Sequence, residues 1–313
     1  MGYPRSHLVD PDGGIYHVCS RCVRRAFLCG HDSATGFDFD HRRQWLEDRI
    51  LALAQLFAVK LYGYAVMSNH YHVVLEVEPK AVSRWSDEEI ADRWLQLFPQ
   101  KISDENAVEL AQSRKLMLLK DEHKLQIIRE RLCSLSWFMR CLNEPLARIA
   151  NKEDNCAGRF WEGRFKSQRL LDEGALLAAM VYVDLNPVRA GISDDVTDCQ
   201  YTSLHRRLEH HELSDRLKNV NNPDDLTLLN HTLAEYIELA RWTALAQQSK
   251  SPVSHAAQVA LTQANAPNAK RWITQCMPTP GRWQRANGSA TALKKYAKEI
   301  GLCWIRTFPA HAL

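Results

Sequence analysis

From His41 to Val59 the apolar residues Trp45, Ile50, Leu53, Leu56 and Phe57 recur at three- and four-residue spacings, with Arg42, Arg43, Glu47 and Asp48 largely between them. That pattern belongs to a helix with one apolar stripe. Ahead of it, after a Pro/Gly-rich lead-in, Ile15-Tyr16-His17-Val18-Cys19 is β-branched and aromatic, so a strand is predicted from about Ile15 to Cys22. Behind it, Leu61 to Met67 and His70 to Val77 are strand-like runs separated by Ser68-Asn69, residues that suit a tight turn, and a β-hairpin is predicted. A strand, a long helix and a hairpin imply an α+β domain with an antiparallel sheet and helices on one face, the ferredoxin-like or RRM-like arrangement.

Further along, residues 81–130 are charge-rich with helical spacing and read as a helical insertion. Leu132 to Ile149 resumes an amphipathic helix with Leu135, Phe138, Leu142, Leu146 and Ile149 on one side and a possible kink at Pro145. Asn155 to Leu170 mixes aromatic and basic residues in strand-like alternation. Asp172-Glu173 then opens a helix that Pro187 should end. Beyond Leu208 the chain turns polar, with helical pieces at about 228–245 and 291–300 and a loose stretch from Gln247 to Asn268 that includes a linker. The expected division is a domain over 1–208 and a helical accessory region of unknown role over 209–313.

Charge changes this picture little, since 40 basic and 37 acidic residues leave a net +3 and any attraction to nucleic acid must be local. Nine cysteines, an odd number without an apolar leader, fit a reduced, cytoplasmic setting. The longest greasy stretch, Ile50 to Val59, contains Gln55 and is far shorter than the roughly 20 apolar residues of a membrane helix, so no membrane association is expected.

Several residues have the makings of a site. On a strand, His70 and His72 project from the same face and could share one metal ion, with Glu76 as a further acid, or be two ordinary hairpin histidines. Tyr182 and Asn186, four apart at a helix end, share a side of that helix; a buried anchor and a helix C-cap are the competing uses. Arg159, Trp161, Arg164, Phe165, Lys166 and Arg169 form a basic and aromatic run, suited to phosphates and stacked bases or to protecting an edge strand. Arg24, Arg25, Arg42 and Arg43 could extend that surface. Cys19 and Cys22 form a lone CxxC with no second pair to complete a zinc site. No phosphate-binding glycine loop, dinucleotide fingerprint, GxSxG or HExxH occurs, which leaves kinase, dehydrogenase, serine hydrolase and zincin functions without a motif.

Taken in order, Met67-Ser68-Asn69-His70-Tyr71-His72-Val73-Val74-Leu75, Phe160-Trp161-Glu162-Gly163-Arg164-Phe165-Lys166-Ser167 and Tyr182-Val183-Asp184-Leu185-Asn186-Pro187-Val188-Arg189-Ala190-Gly191 resemble the single-tyrosine HUH transposases. Their REP-associated tyrosine transposase branch looks most similar, over about Gly14 to Leu208. The resemblance implies that His70 and His72 hold Mg²⁺ or Mn²⁺, that Tyr182 is the nucleophile, and that Asn186 stands where relatives carry a further polar ligand, often glutamine. Tyr71 departs from the aliphatic residue usual between the histidines. The implied activity is cutting and rejoining of single-stranded DNA beside a hairpin through a 5′-phosphotyrosine link, in DNA transposition or processing of hairpin repeats. The implied enzyme is a monomer or homodimer, cytoplasmic and nucleoid-associated in a bacterium. The alternative is a catalytically quiet nucleic-acid-binding regulator on the same scaffold.

Overall fold

The computed structural model describes residues 12–23, 28–31, 36–99, 107–217, 219–221, 229–248, 258–259, 261–262, 269–276 and 284–305. Strand β1 (Gly14–Arg21), helix α1 (His41–Leu56), and strands β2 (Val59–Val66) and β3 (His70–Val77) lie where the periodicity predicts them. Across the Ser68-Asn69 turn, the amide of Met67 donates to the carbonyl of His70 at 2.8 Å. The predicted insertion consists of α2 (Pro79–Val82), α3 (Asp87–Leu97), α4 (Ala107–Leu119) and α5 (Glu122–Leu132). Helix α6 (Leu135–Glu153) follows, capped by Ser134 and continuous through Pro145. Ile149, predicted on its apolar side, is 45% exposed, because the buried ladder runs from Leu142 through Leu146 to Ala150 and carries Ile149 past its edge.

Strand β4 is shorter than the alternation implies, Lys166–Leu170, since residues ahead of it bend and meet β1 only through an isolated Cys22–Trp161 bridge. Helix α7 (Glu173–Asp184) is capped by the Asp172 carboxylate on the Ala175 amide. Pro187 does end it, but as an early residue of the short α8 (Asn186–Arg189), where a missing N–H costs nothing. Next come α9 (Ser203–His210), α10 (Leu233–Gln248), α11 (Ala269–Cys276), strand β5 (Ala286–Asn287) and α12 (Ala290–Glu299). The sheet order is β2-β3-β1-β4-β5, antiparallel except for the β4–β5 pair. The class is α+β.

Helices cover both faces of this sheet, one more than predicted. Tyr16, Val18, Tyr64, Tyr71, Val73 and Leu75 share a core with α1, α5 and α6, whereas Tyr62, Ala65, Val74 and Leu170 share another with α7, α10 and α11. Helix α7 is apolar on nearly every side because it is wedged between the sheet and the later helices. The region after Leu208 is likewise not all helical: β5 extends the sheet, and a two-residue Ala-Asn strand carries no alternation to announce it. Most of the expected linker over 247–268 lies outside the described residues. Among the described residues no helix is long and apolar enough to cross a membrane.

Candidate functional site

Register decides what meets on the α7 side of the sheet. Strand pairing sets Ala65, His72, Cys19 and Lys166 in one row, Val74, His17 and Gln168 in the next, and His70 opposite Arg21 at the β1 end. Partners directly across a ladder share a face. Helix α7 lies over these rows and brings Tyr182 to them: its ring centroid is 5.3 Å from that of His72 and 5.5 Å from that of His17. His70 and His72 stand edge to face at 4.9 Å. Three side chains that the sequence separates by more than a hundred positions therefore meet in a single chain.

His17 was not singled out from the sequence. It is 3% exposed, and its Nε2 lies 2.9 Å from His72 Nδ1. Burial pushes its pKa down to about 3, and His70 falls to about 4 through burial and then the Arg21 charge. His72, 2% exposed, is held well below the ordinary histidine value by burial, with His70, His17, Arg21 and Arg189 adding to it. All three rings are thus neutral at neutral pH. With His72 donating from Nδ1 to His17, and His70 Nδ1 bonded at 2.5 Å to Asn69 Oδ1, both rings would meet a ligand with Nε2.

Burial raises the pKa of Tyr182; the Asn186 amide, Arg189 and Arg21 pull the other way without overcoming it. The phenol is therefore protonated at rest. Asn186 Nδ2 donates to the Tyr182 carbonyl at 2.9 Å, so its nitrogen serves the helix end. Oδ1 is then the atom that it could offer a cation. Arg189 reaches the Cys276 carbonyl at 2.7 Å and stands 5.1 Å from the Tyr182 ring centroid. The charged side chains acting on the phenol are the two arginines, a field that suits an anion such as a phosphate.

The metal-binding expectation can be weighed on this geometry. Among the described residues no three His, Cys, Asp or Glu side chains are grouped to hold an ion. The available set is two imidazoles and one amide. Neutral rings anchored through Nδ1 are in the form that ligates divalent metals, so the residues fit such a cation with its remaining positions filled by water or phosphate oxygens.

The basic and aromatic run divides. Lys166, exposed, shares the row of His72 and Cys19. Trp161, Arg164 and Phe165 lie instead against α6 on the opposite side of the sheet, with the Trp161 indole donating to the Asn143 carbonyl at 2.9 Å. Exposed Arg159 bonds the Glu162 carbonyl at 3.2 Å. The Arg169 guanidinium lies between the rings of Tyr16 and Tyr296, at 5.6 and 5.4 Å, and is committed to packing. Arg42 is 1% exposed and ion-paired with Glu153 and Asp154, which ties α1 to α6 and removes it from any binding surface. Arg24 and Arg25 lie outside the described residues. Cys19 and Cys22 belong to opposite faces of the sheet, so the CxxC is not one site.

Tyr71 also finds its reason. It points away from the two histidines, is fully buried, and donates to Asn143 Oδ1 at 2.7 Å. An aliphatic residue there would leave Asn143 short of a partner.

No family model matches the sequence, and no curated protein does. Among solved structures the chain is similar to a REP-associated tyrosine transposase bound to a REP hairpin. The two share 13% identity and a TM-score of 0.40, over 74% of this chain and 97% of that one.

Proposed function

We propose that the protein is a nuclease and strand transferase for single-stranded DNA beside a hairpin, with Tyr182 as nucleophile. The observation that carries this reading is the Tyr182 ring 5.3 Å from His72, inside a cluster of neutral imidazoles and arginines. A phenol over positive charge with no neighbouring carboxylate among its listed influences suits attack on an anionic diester better than proton chemistry on a neutral substrate.

In the proposed step the Tyr182 hydroxyl oxygen attacks phosphorus and the bond to the 3′ oxygen breaks. The phenol loses its proton and the departing oxygen gains one, which leaves a 5′-phosphotyrosine and a free 3′-hydroxyl. The reverse attack by a 3′-hydroxyl rejoins a strand with no added energy source, because one ester replaces another. Arg21 and Lys166 flank the row of His72 and draw the phosphate in, while Arg189 holds the end of the tyrosine helix. His70, His72 and the Asn186 amide are the residues that would hold Mg²⁺ or Mn²⁺. Such an ion, when bound, polarises a phosphate oxygen and offsets charge on the leaving group.

The test is incubation of hairpin oligonucleotides bearing single-stranded flanks with Mg²⁺ or Mn²⁺, followed by denaturing electrophoresis. The expected result is a protein–DNA species that the Tyr182→Phe protein does not form. Cutting that persists in Tyr182→Phe would point to attack by water and overturn the assignment.

A further inference from the structure

On the other side of the sheet from Tyr182, α6 and the bend ahead of β4 enclose a groove of about 670 Å³. That lies within the range of about 300–1,000 Å³ typical of ligand clefts. Its walls are Trp137, Arg140 and Arg148 from α6, facing Trp161, Arg164 and Phe165. The α6 residues recur at three- to four-residue steps together with Glu144, so they line one strip of the helix. Glu144 pairs with both Arg140, at 3.0 Å, and Arg148, at 2.9 Å, yet their side chains remain 60% and 71% exposed. One acid against three arginines leaves the groove cationic. Trp137 is also flanked by the guanidinium groups of Arg131 and Arg140, at 4.3 and 4.9 Å from its ring.

The groove is joined to the candidate site. Asn143 in its floor accepts from Tyr71, donates to Ser20 at 3.1 Å and, through its carbonyl, receives Trp161. Tyr71 sits between His70 and His72 on β3, and Trp161 bridges to Cys22, next to Arg21 opposite His70. Groove and imidazoles thus occupy the same end of the sheet. A strand passing around that end would touch both.

We propose that this groove binds unpaired nucleotides of the DNA strand processed at Tyr182, with bases stacked on Trp137 and Trp161 and phosphates on Arg148 and Arg164. It rests on the proposed function and adds a second contact region, most of whose α6 wall carries no motif. Aromatic faces alternating with exposed cations suit single strands, whose bases are free to leave the stack, and a duplex conceals those faces. An acidic peptide would use the arginines and leave the indoles idle.

The test measures fluorescence anisotropy of a labelled mixed-sequence single-stranded 12-mer, and of its duplex, at two salt concentrations. The Tyr182→Phe protein serves as the background, so that covalent chemistry plays no part. Arg148 and Arg164 are exposed, and the Arg148→Glu/Arg164→Glu protein should retain the circular dichroism and melting of its parent. Single-strand affinity should fall at least about tenfold, and the slope of log affinity against log salt should fall by about 1.4, at about 0.7 per lost phosphate contact. Trp137→Ala should weaken single-strand binding more than duplex binding. Unchanged single-strand affinity in the double variant, or displacement of the oligonucleotide by an equal concentration of a 12-residue polyglutamate, would overturn the assignment. Binding that depends on these arginines, without covalent product in the wild-type protein, would sustain the groove and refute the role of Tyr182.

Discussion

His72 owes its orientation to His17, a ring buried beside it on the neighbouring strand. Its Nδ1 is engaged there, so removal of the partner should release both the tautomer and the ring angle. We expect His17→Phe to weaken Mn²⁺ binding about 10- to 100-fold, and His17→Gln, which keeps a polar partner, to weaken it less. Titration followed by electron paramagnetic resonance would show this without any DNA. Unchanged affinity in His17→Phe would deny the role. Acid stability is a second expectation. The folded pKa values of His17 and His70, about 3 and 4, lie below the ordinary 6.5, so the unfolded chain binds protons that the native chain refuses. Their contribution is complete above about pH 6.5 and declines as the pH falls toward 4. Urea midpoints should drop through that window, and His70→Gln should flatten the drop. In the sequence, His70 and His72 were legible because two positions along a strand share a face. His17 was not, since only the register between β1 and β3 places it there, although a histidine amid strand residues was the available clue.

Helix α7 is the element on which the phenol depends, and Asp184 fixes it. Fully buried two residues after Tyr182, this carboxylate accepts from Tyr236 at 2.5 Å, Ser203 at 2.8 Å and the Leu204 amide at 3.2 Å. Burial raises its pKa despite the opposing Arg207 charge and these donors. Loss of one donor should therefore be felt. Tyr236→Phe is expected to cost about 1–3 kcal/mol of stability, the usual penalty for a buried group left short of a partner. It should also slow formation of the DNA-linked species and leave single-strand affinity unchanged. Denaturant unfolding and single-turnover kinetics would separate the two effects, and an unaltered rate would detach α9 and α10 from the positioning of Tyr182. The extent of α7 was readable from its Asp172 cap and Pro187. Its burial between two layers was legible only in part, as a helix apolar on most of its circumference.

For the molecule as a whole, β1, α1, β2, β3, α6 and β4 form the unit that local periodicity foretold, with α2 to α5 inserted before α6. Everything after β4 is added to the opposite face. There α7, α10 and α11 complete a second core around Trp272 and Tyr236, so the later residues brace the tyrosine helix. This was illegible beforehand because its contacts are long-range: β5 pairs with β4 from far along the chain, and Arg189 reaches Cys276. The basic and aromatic run misled for a related reason, since alternation predicted one continuous strand whereas the chain bends at Trp161 to Phe165 and splits the run between two faces. Each chain consequently presents its phenol to its own imidazoles. The most direct test is mass spectrometry of peptides from the protein incubated with a hairpin oligonucleotide and Mn²⁺ and then digested with nuclease and protease. The peptide containing Tyr182 should carry a 5′-phosphodeoxynucleotide, and that adduct should vanish in His70→Ala/His72→Ala. An adduct on another residue, or cleaved DNA with none, would contradict the account.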